Sequence, residues 1–318
     1  MRYIQIRGVD KPVSVIGLGT MIMAPDKKEL CWSILDAFLA QGGTLIDTAE
    51  IYGDPEDYGY AEQTIGMWLK ERQNREQIVL MSKGCIPDTC VPLHGPGLAV
   101  TPADIHRAIT GSLERLQTDY LDLWLLHRDD PSVPVGEIVE ALNEEIRMGR
   151  IRAYGGSNWS IQRLEEANAY AETHGLVGMA ASSPQFSLPQ AKQPFFPGTT
   201  YLDETGKSWH QKNQLPVLAW SSLGRGFMKY GDPADTSREN LVKTFYSEEN
   251  FQRLARADEL GSQLGRSRID IALAYVTNQP FPSAALVGPG SVQHVLNCTG
   301  AAELVLDAEQ VAWLENAV

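Results

Sequence analysis

The chain has 318 residues, 43% of them hydrophobic, with 27 basic and 40 acidic side chains and a formal net charge of −13. That balance argues against nucleic acid or an anionic membrane surface as a partner, while leaving room for a local basic pocket. No run of about 18 apolar residues exists for a membrane helix, and the opening MRYIQIRGVD has no apolar signal region. The four cysteines (Cys31, Cys85, Cys90, Cys298) lack zinc spacing and do not look like a disulfide framework. The expectation is a soluble, reduced, cytoplasmic protein.

Short apolar runs rich in β-branched residues alternate with amphipathic stretches of helical length. YIQIRG and VSVIG flank a turn at Val9-Asp10-Lys11-Pro12, which predicts a hairpin ahead of the main fold. The first core strand starts at Gly17-Leu18-Gly19-Thr20, and a helix follows over 27–41, ended by Gly42-Gly43. Strands are predicted at 44–49, 78–83 and 121–127, with helices at 60–72, from Thr101-Pro102 onward, and at 135–148. The rhythm continues with strands at 151–157, 178–185, 216–222 and 284–288 and helices at 161–174 and 291–302. An extra helix is expected at 307–316. Eight strands, each followed by helical sequence, specify a (β/α)₈ barrel of one domain over 1–318 better than an open doubly wound sheet.

Barrel active sites lie at the C-terminal ends of the strands. Asp47 ends the second strand, Tyr52 lies in the loop just after it, Lys83 ends the third and His127 ends the fourth. A tyrosine is a poor acid at neutral pH, with a reference pKa of about 10. A nearby ammonium favours the phenolate, and a carboxylate can hold that ammonium in place. Such a phenol can give a proton to a carbonyl oxygen or take one from an alcohol. His127 would orient and polarise the same oxygen. Taken singly, each residue has a plainer reading: a cap, a surface charge, a satisfied core histidine, an exposed turn tyrosine. Packing does not require all of them at three neighbouring strand ends.

The chain resembles an aldo-keto reductase across essentially its whole length. The matching segments are GLGT at 17–20, LIDTAEIYG at 45–53, MSKG at 81–84, LDLWLLHRDDP at 121–131, RAYGGSN at 152–158, SPQFS at 183–187 and LAWSSLGRG at 218–226. The resemblance implies NADPH or NADH bound across the barrel mouth, with Tyr52 as acid/base, Lys83 and Asp47 tuning it, and His127 positioning the substrate oxygen. It implies that Ser157, Asn158 and Gln185 hold the nicotinamide carboxamide, and that the Trp220 ring lies under the nicotinamide. Ser221, Ser222, Leu223 and Gly226 would meet the pyrophosphate. Gly19, Thr20 and Asp47 would add contacts from the first two strands, and Gly288, Gly290, Ser291 and His294 from the eighth. Arg225 reads either as a charge partner for phosphate or as an exposed loop arginine.

Two departures bear on the cofactor. The family often carries Arg or Lys where this chain has Gly290, and Asn where it has Cys298, which weakens the expected preference for NADPH over NADH. Other departures bear on the substrate. The stretch 54–61 is about four residues longer than the usual family loop, and 84–100 and 188–206 are long and carry proline and aromatics, among them Phe195, Phe196 and Tyr201. Polar Asp54, Glu56, Asp57, Arg128, Asp129 and Asp130 favour a sugar or polyol-derived carbonyl over a steroid. No metal is expected. Rival readings are a barrel aldolase using Lys83 as a Schiff-base amine, and a cofactor-binding regulatory subunit of the same fold. A Rossmann reading of GLG fails because Ile22 stands where the third glycine belongs.

Overall fold

The computed structural model describes residues 1–53, 58–87 and 99–316. Asp54, Glu56, Asp57, Cys90 and most of the 84–100 segment lie outside the described residues.

β1 (Tyr3–Ile4) and β2 (Val13–Ser14) pair antiparallel, which is the expected hairpin. Eight parallel strands follow: β3 (Ile16–Gly19), β4 (Leu45–Asp47), β5 (Val79–Gly84), β6 (Leu121–Leu126), β7 (Ile151–Ser157), β8 (Ala181–Ser183), β9 (Val217–Ala219) and β10 (Ser283–Val287). They close into a barrel in chain order, β10 pairing with both β9 and β3. The helices after the first five barrel strands are α1 (Lys28–Ala40), α2 (Tyr60–Arg72), α3 (Pro102–Leu116), α4 (Val135–Arg147) and α5 (Ile161–Thr173). Local signals set their ends. At α3, the Thr101 hydroxyl accepts from Asp104 N at 3.3 Å while Pro102 takes the first turn, where its missing N–H costs nothing.

A period of two along the strands splits the core. Leu45, Val79, Met81, Leu123, Leu125, Ala153, Ala181, Leu218, Ala284 and Leu286 fill the barrel interior, closed at its base by Ile6, Val9 and Val13 of the hairpin segment. Ile46, Leu80, Trp124 and Tyr154 face outward and pack with the helices. Continuing the inward row by two residues past each of its last apolar members reaches Asp47, Lys83, His127, Ser183 and Trp220. The candidate site residues therefore occupy the last inward layer. Two residues on from inward Ala153, β7 approaches β8 so closely that a Cβ on Gly155 would stand 2.2 Å from the Ala181 carbonyl oxygen, so only glycine fits.

The structure departs from the sequence expectation mainly after β7. The strand expected at 178–185 is regular only over Ala181–Ser183, because Pro184 has no N–H to continue the ladder. Gln185 instead forms isolated parallel bridges to Tyr201 and Trp220. The strand expected at 216–222 shortens to Val217–Ala219. The 188–206 segment runs into a helix, α6 (Glu204–Asn213). Between β9 and β10 lie α7 (Phe227–Tyr230), α8 (Glu239–Phe245), α9 (Glu248–Leu264) and α10 (Arg268–Thr277), none of which the hydrophobic rhythm had bounded. α11 (Val292–Thr299) gives way to a 3₁₀ turn at Gly300–Glu303, and α12 (Ala308–Glu315) is the extra C-terminal helix.

Candidate active site

Asp47, Tyr52, Lys83 and His127 meet at one place. The buried Lys83 Nζ donates to Asp47 Oδ1, to the Thr48 carbonyl oxygen at 3.0 Å and to the Tyr52 hydroxyl at 3.4 Å. The Tyr52 and His127 rings are edge to face, centroids 6.0 Å apart at 81°. The loop carrying Tyr52 is pinned to the barrel. Glu50 N donates to the Lys83 carbonyl at 2.8 Å, and Tyr52 N to the Ala49 carbonyl at 3.0 Å. Thr20 supports Asp47 from the other side, its N and Oγ1 both donating to the Asp47 carbonyl, at 3.0 and 2.9 Å.

Burial and charge oppose one another here. Burial pulls the Lys83 amine down, but Asp47 and then Tyr52 outweigh it, and the ammonium is held above the ordinary lysine value. Burial pushes the Asp47 carboxyl up, with Lys83 pulling back. Three acceptors around one nitrogen suit an ammonium, so the pair is ionised. Burial also pushes the Tyr52 phenol up, while Lys83 restrains the rise. The sequence expectation had only the lysine half of this balance; the observed direction leaves Tyr52 protonated at neutral pH. Burial, then the charges of Lys83 and Arg128, push His127 well below the usual histidine value, so its ring is neutral. A lysine held as an ammonium is also a poor Schiff-base nucleophile, which counts against the aldolase alternative.

The expected cofactor residues form a continuous arc from β7 through β8, β9 and β10 to β3, beside the β4–β6 arc that carries Asp47, Lys83 and His127. Asn158 has φ 59°, a left-handed conformation that asparagine tolerates better than most residues. Its Nδ2 donates to the His127 carbonyl at 3.3 Å and to Ser157 Oγ at 2.9 Å, and its Oδ1 accepts from Thr200 N at 3.3 Å. Asn158 therefore joins the two arcs. Ser157 Oγ donates to the Ser183 carbonyl at 3.1 Å, and Ser222 Oγ donates to the Ala219 and Leu286 carbonyls at 2.8 and 3.1 Å.

Other groups in the arc have polar capacity to spare. Trp220 Nε1 is buried without a partner, and the side-chain amide of Gln185 makes no hydrogen bond among the described residues. A Cβ on Gly288 or Gly290 would find its nearest neighbour at 3.9 or 3.8 Å, so the loop after β10 is open. Ser291 caps α11 by accepting from His294 N at 3.2 Å, and the His294 side chain is exposed. These features fit a dinucleotide lying along the arc. Cys298 is instead buried in the core, its thiol pushed by burial up to about 11.

A family model described as the aldo/keto reductase family matches residues 15–318. The chain belongs to that family. As an aldo/keto reductase it is an oxidoreductase, with the (β/α)₈ barrel that the strand order shows. YrpG of Bacillus subtilis, named an uncharacterized oxidoreductase, is 30% identical over 330 residues, covering 99% of this chain and 95% of the relative. Protein tas of Escherichia coli is 29% identical over 347 residues, covering 99% and 97%. An aldo/keto reductase from Klebsiella pneumoniae, solved in complex with NADP and acetate, superposes with a TM-score of 0.73 at 26% identity, over 99% of this chain and 94% of that one. No helix among the described residues is long and apolar enough to cross a membrane.

The Thr48 carbonyl was not read from the sequence, and Arg128 was read only as a polar group bearing on the substrate. The Thr48 carbonyl is a backbone acceptor for Lys83, and backbone groups leave no trace in residue types. Arg128 acts through its charge on His127 and Tyr52, and its Nη1 donates to the His127 carbonyl at 3.1 Å. Its position beside His127 was the available signal. Asp129 is engaged by Arg163, at 2.9 and 3.1 Å, and Asp130 by Ser132 of its own turn, so neither carboxylate supports the polyol argument.

Proposed function

We propose that this aldo/keto reductase interconverts a small carbonyl compound and its alcohol using NADPH or NADH, with Tyr52 as general acid and base. The observation that carries this reading is the single Lys83 ammonium shared by Asp47, the Thr48 carbonyl and the Tyr52 hydroxyl at the barrel mouth. A nicotinamide, when bound, supplies or accepts the hydride at its C4. The chain does the rest. Tyr52 donates its phenolic proton to the carbonyl oxygen in reduction and recovers one from the alcohol in oxidation. Lys83 stabilises the phenolate left behind, and Asp47 keeps Lys83 charged and in place. Neutral His127 can donate one N–H to the same oxygen without competing as an acid.

For the cofactor, Ser157, Asn158 and Gln185 would hold the carboxamide, and Trp220 would offer its ring face. Ser221, Ser222, Leu223 and Gly226, with the loop at Gly288–Ser291, would receive the phosphates. Klebsiella structures in complex with NADP or NADPH support this choice of cofactor. Residues 1–318 act as one domain in this reading, and the cytoplasm is the expected compartment. The deciding experiment titrates NADPH and NADH against tryptophan fluorescence, then screens aldoses, polyols and simple aldehydes for turnover. Absence of cofactor binding would overturn the proposal.

A further inference from the structure

Arg225, in the loop after β9, is held by aromatic rings and, among the described residues, not by a carboxylate. Arg225 has φ 55° and ψ 28°, between Gly224 at φ 59° and Gly226 at φ 95°. Left-handed backbone is disfavoured for any residue with a Cβ, and here the one non-glycine of the three carries the side chain. Its guanidinium lies over Phe195, 4.5 Å from the centroid, and over Phe196 at 5.2 Å. Those two rings meet edge to face at 4.8 Å.

Arg72, Arg75, Arg107, Arg115, Arg150, Arg163 and Arg268 each pair with a carboxylate. Arg225 has no carboxylate partner among the described residues, in a chain with 40 acidic side chains against 27 basic. A guanidinium held by aromatic rings spends no N–H on them, which leaves its fork of donors for a carboxylate or phosphate. Arg225 also lies close enough to Tyr52 for the negative charge of its phenolate form to act on it. The Phe pair follows β8, Arg225 follows β9, and Tyr52 follows β4, so the three converge over the bowl.

We propose that Arg225 is an oxyanion-binding residue of the substrate pocket, taking a carboxylate or phosphate carried by the carbonyl substrate away from its reacting carbon. This rests on the reductase reading and narrows it to anionic aldehydes or ketones. Phe195 and Phe196 are positioning residues, their rings holding the guanidinium of the exposed Arg225 in place. The same chemistry could come from a cofactor phosphate, and the test separates the two sources.

Wild type, R225M and R225K are compared with NADPH on 4-oxobutanoate and on butanal, which has the same chain length without the carboxylate. Succinate binding is measured by calorimetry on each protein without cofactor. Losing a charge-assisted bond should lower the ratio of kcat/KM for 4-oxobutanoate over butanal by about ten- to a hundredfold in R225M. Lysine should restore part of that ratio, and succinate binding should weaken in parallel while the NADPH dissociation constant holds. An unchanged ratio with unchanged succinate binding would overturn the proposal and leave Arg225 a packing residue. Weaker NADPH binding with both aldehydes falling together would also overturn it, assigning the cation to the cofactor. Should wild type reduce neither aldehyde, the reductase reading is what has failed for these substrates. Succinate calorimetry then decides the oxyanion site alone, and no binding to wild type refutes it.

Discussion

The Lys83 ammonium stands 3.4 Å from the Tyr52 hydroxyl while it also donates to Asp47 and to the Thr48 carbonyl. One buried charge thus couples a phenol on a loop to a carboxylate on the neighbouring strand. Burial alone would drive the phenol up and weaken it as a proton donor; the ammonium limits that rise.

Tyr52→Phe should fold and bind cofactor as wild type does, since the hydroxyl touches only Lys83 among the described residues. Removing a positioned acid typically costs about 10²–10⁴-fold in turnover. Steady-state kinetics beside a cofactor titration check this, and wild-type kcat in the variant would refute Tyr52 as proton donor.

Lys83→Met should act on two observables. Without the ammonium the phenol rises further, so alcohol oxidation, which needs phenolate, should shift its alkaline limb to higher pH. Reduction needs the protonated phenol and should be less affected at neutral pH. The variant also leaves Asp47 buried without its counter-charge, a loss of about 3–5 kcal/mol in urea unfolding. A double variant that also makes Asp47→Asn should recover part of it.

His127 is held well below the ordinary histidine value, so reduction should show no inflection near pH 6.5 from this ring. The sign for stability follows. The unfolded chain takes up a proton at this residue near pH 6.5 that the folded chain refuses. Its effect favours the unfolded state as pH falls below that value and vanishes above it. Unfolding free energies of wild type and H127Q should therefore diverge between about pH 7 and pH 5, wild type losing more. Parallel curves would mean that His127 titrates normally.

Gly290→Arg should tighten NADPH more than NADH. The nearest atom to a Cβ there is Ile22 Cδ1 at 3.8 Å, so the side chain has room to leave the backbone. A new charge-assisted bond to the 2′-phosphate would change the ratio of dissociation constants by about one to two decades. The ratio measured in both proteins is the check. A wild type that already prefers NADPH by several decades would show that another cation performs the task.

Asn158 separates backbone from side-chain effects. Asn158→Gly keeps the left-handed conformation at φ 59° but removes the bonds to His127, Ser157 and Thr200, whereas Asn158→Ala loses both. Cofactor affinity should fall in both variants, and thermal stability more in the alanine one. Equal melting temperatures would mean that the conformation carries no strain.

Much of the barrel was legible because a buried parallel strand needs a short apolar run and its helix an amphipathic stretch, both of which are local patterns. The strand ends bearing Asp47, Lys83 and His127 followed from the same patterns. The 226–284 region was less readable. Its four helices pack outside the regular rhythm, and α7, with only four residues, is too short to show a period.

The sequence by itself determined the strand rhythm, and with it which residues stand at the mouth of the barrel. Residue types, spacing and side-chain alternation are encoded along the chain. Only the tertiary structure decided how those residues share charge. Whether burial or Lys83 dominates the Tyr52 phenol, that Thr20 braces the Asp47 carbonyl, and that Arg163 engages Asp129 each depend on distances between strands and loops far apart in sequence. Electrostatic and hydrogen-bond energies change over single ångströms and with local dielectric, and neither quantity exists until the barrel closes.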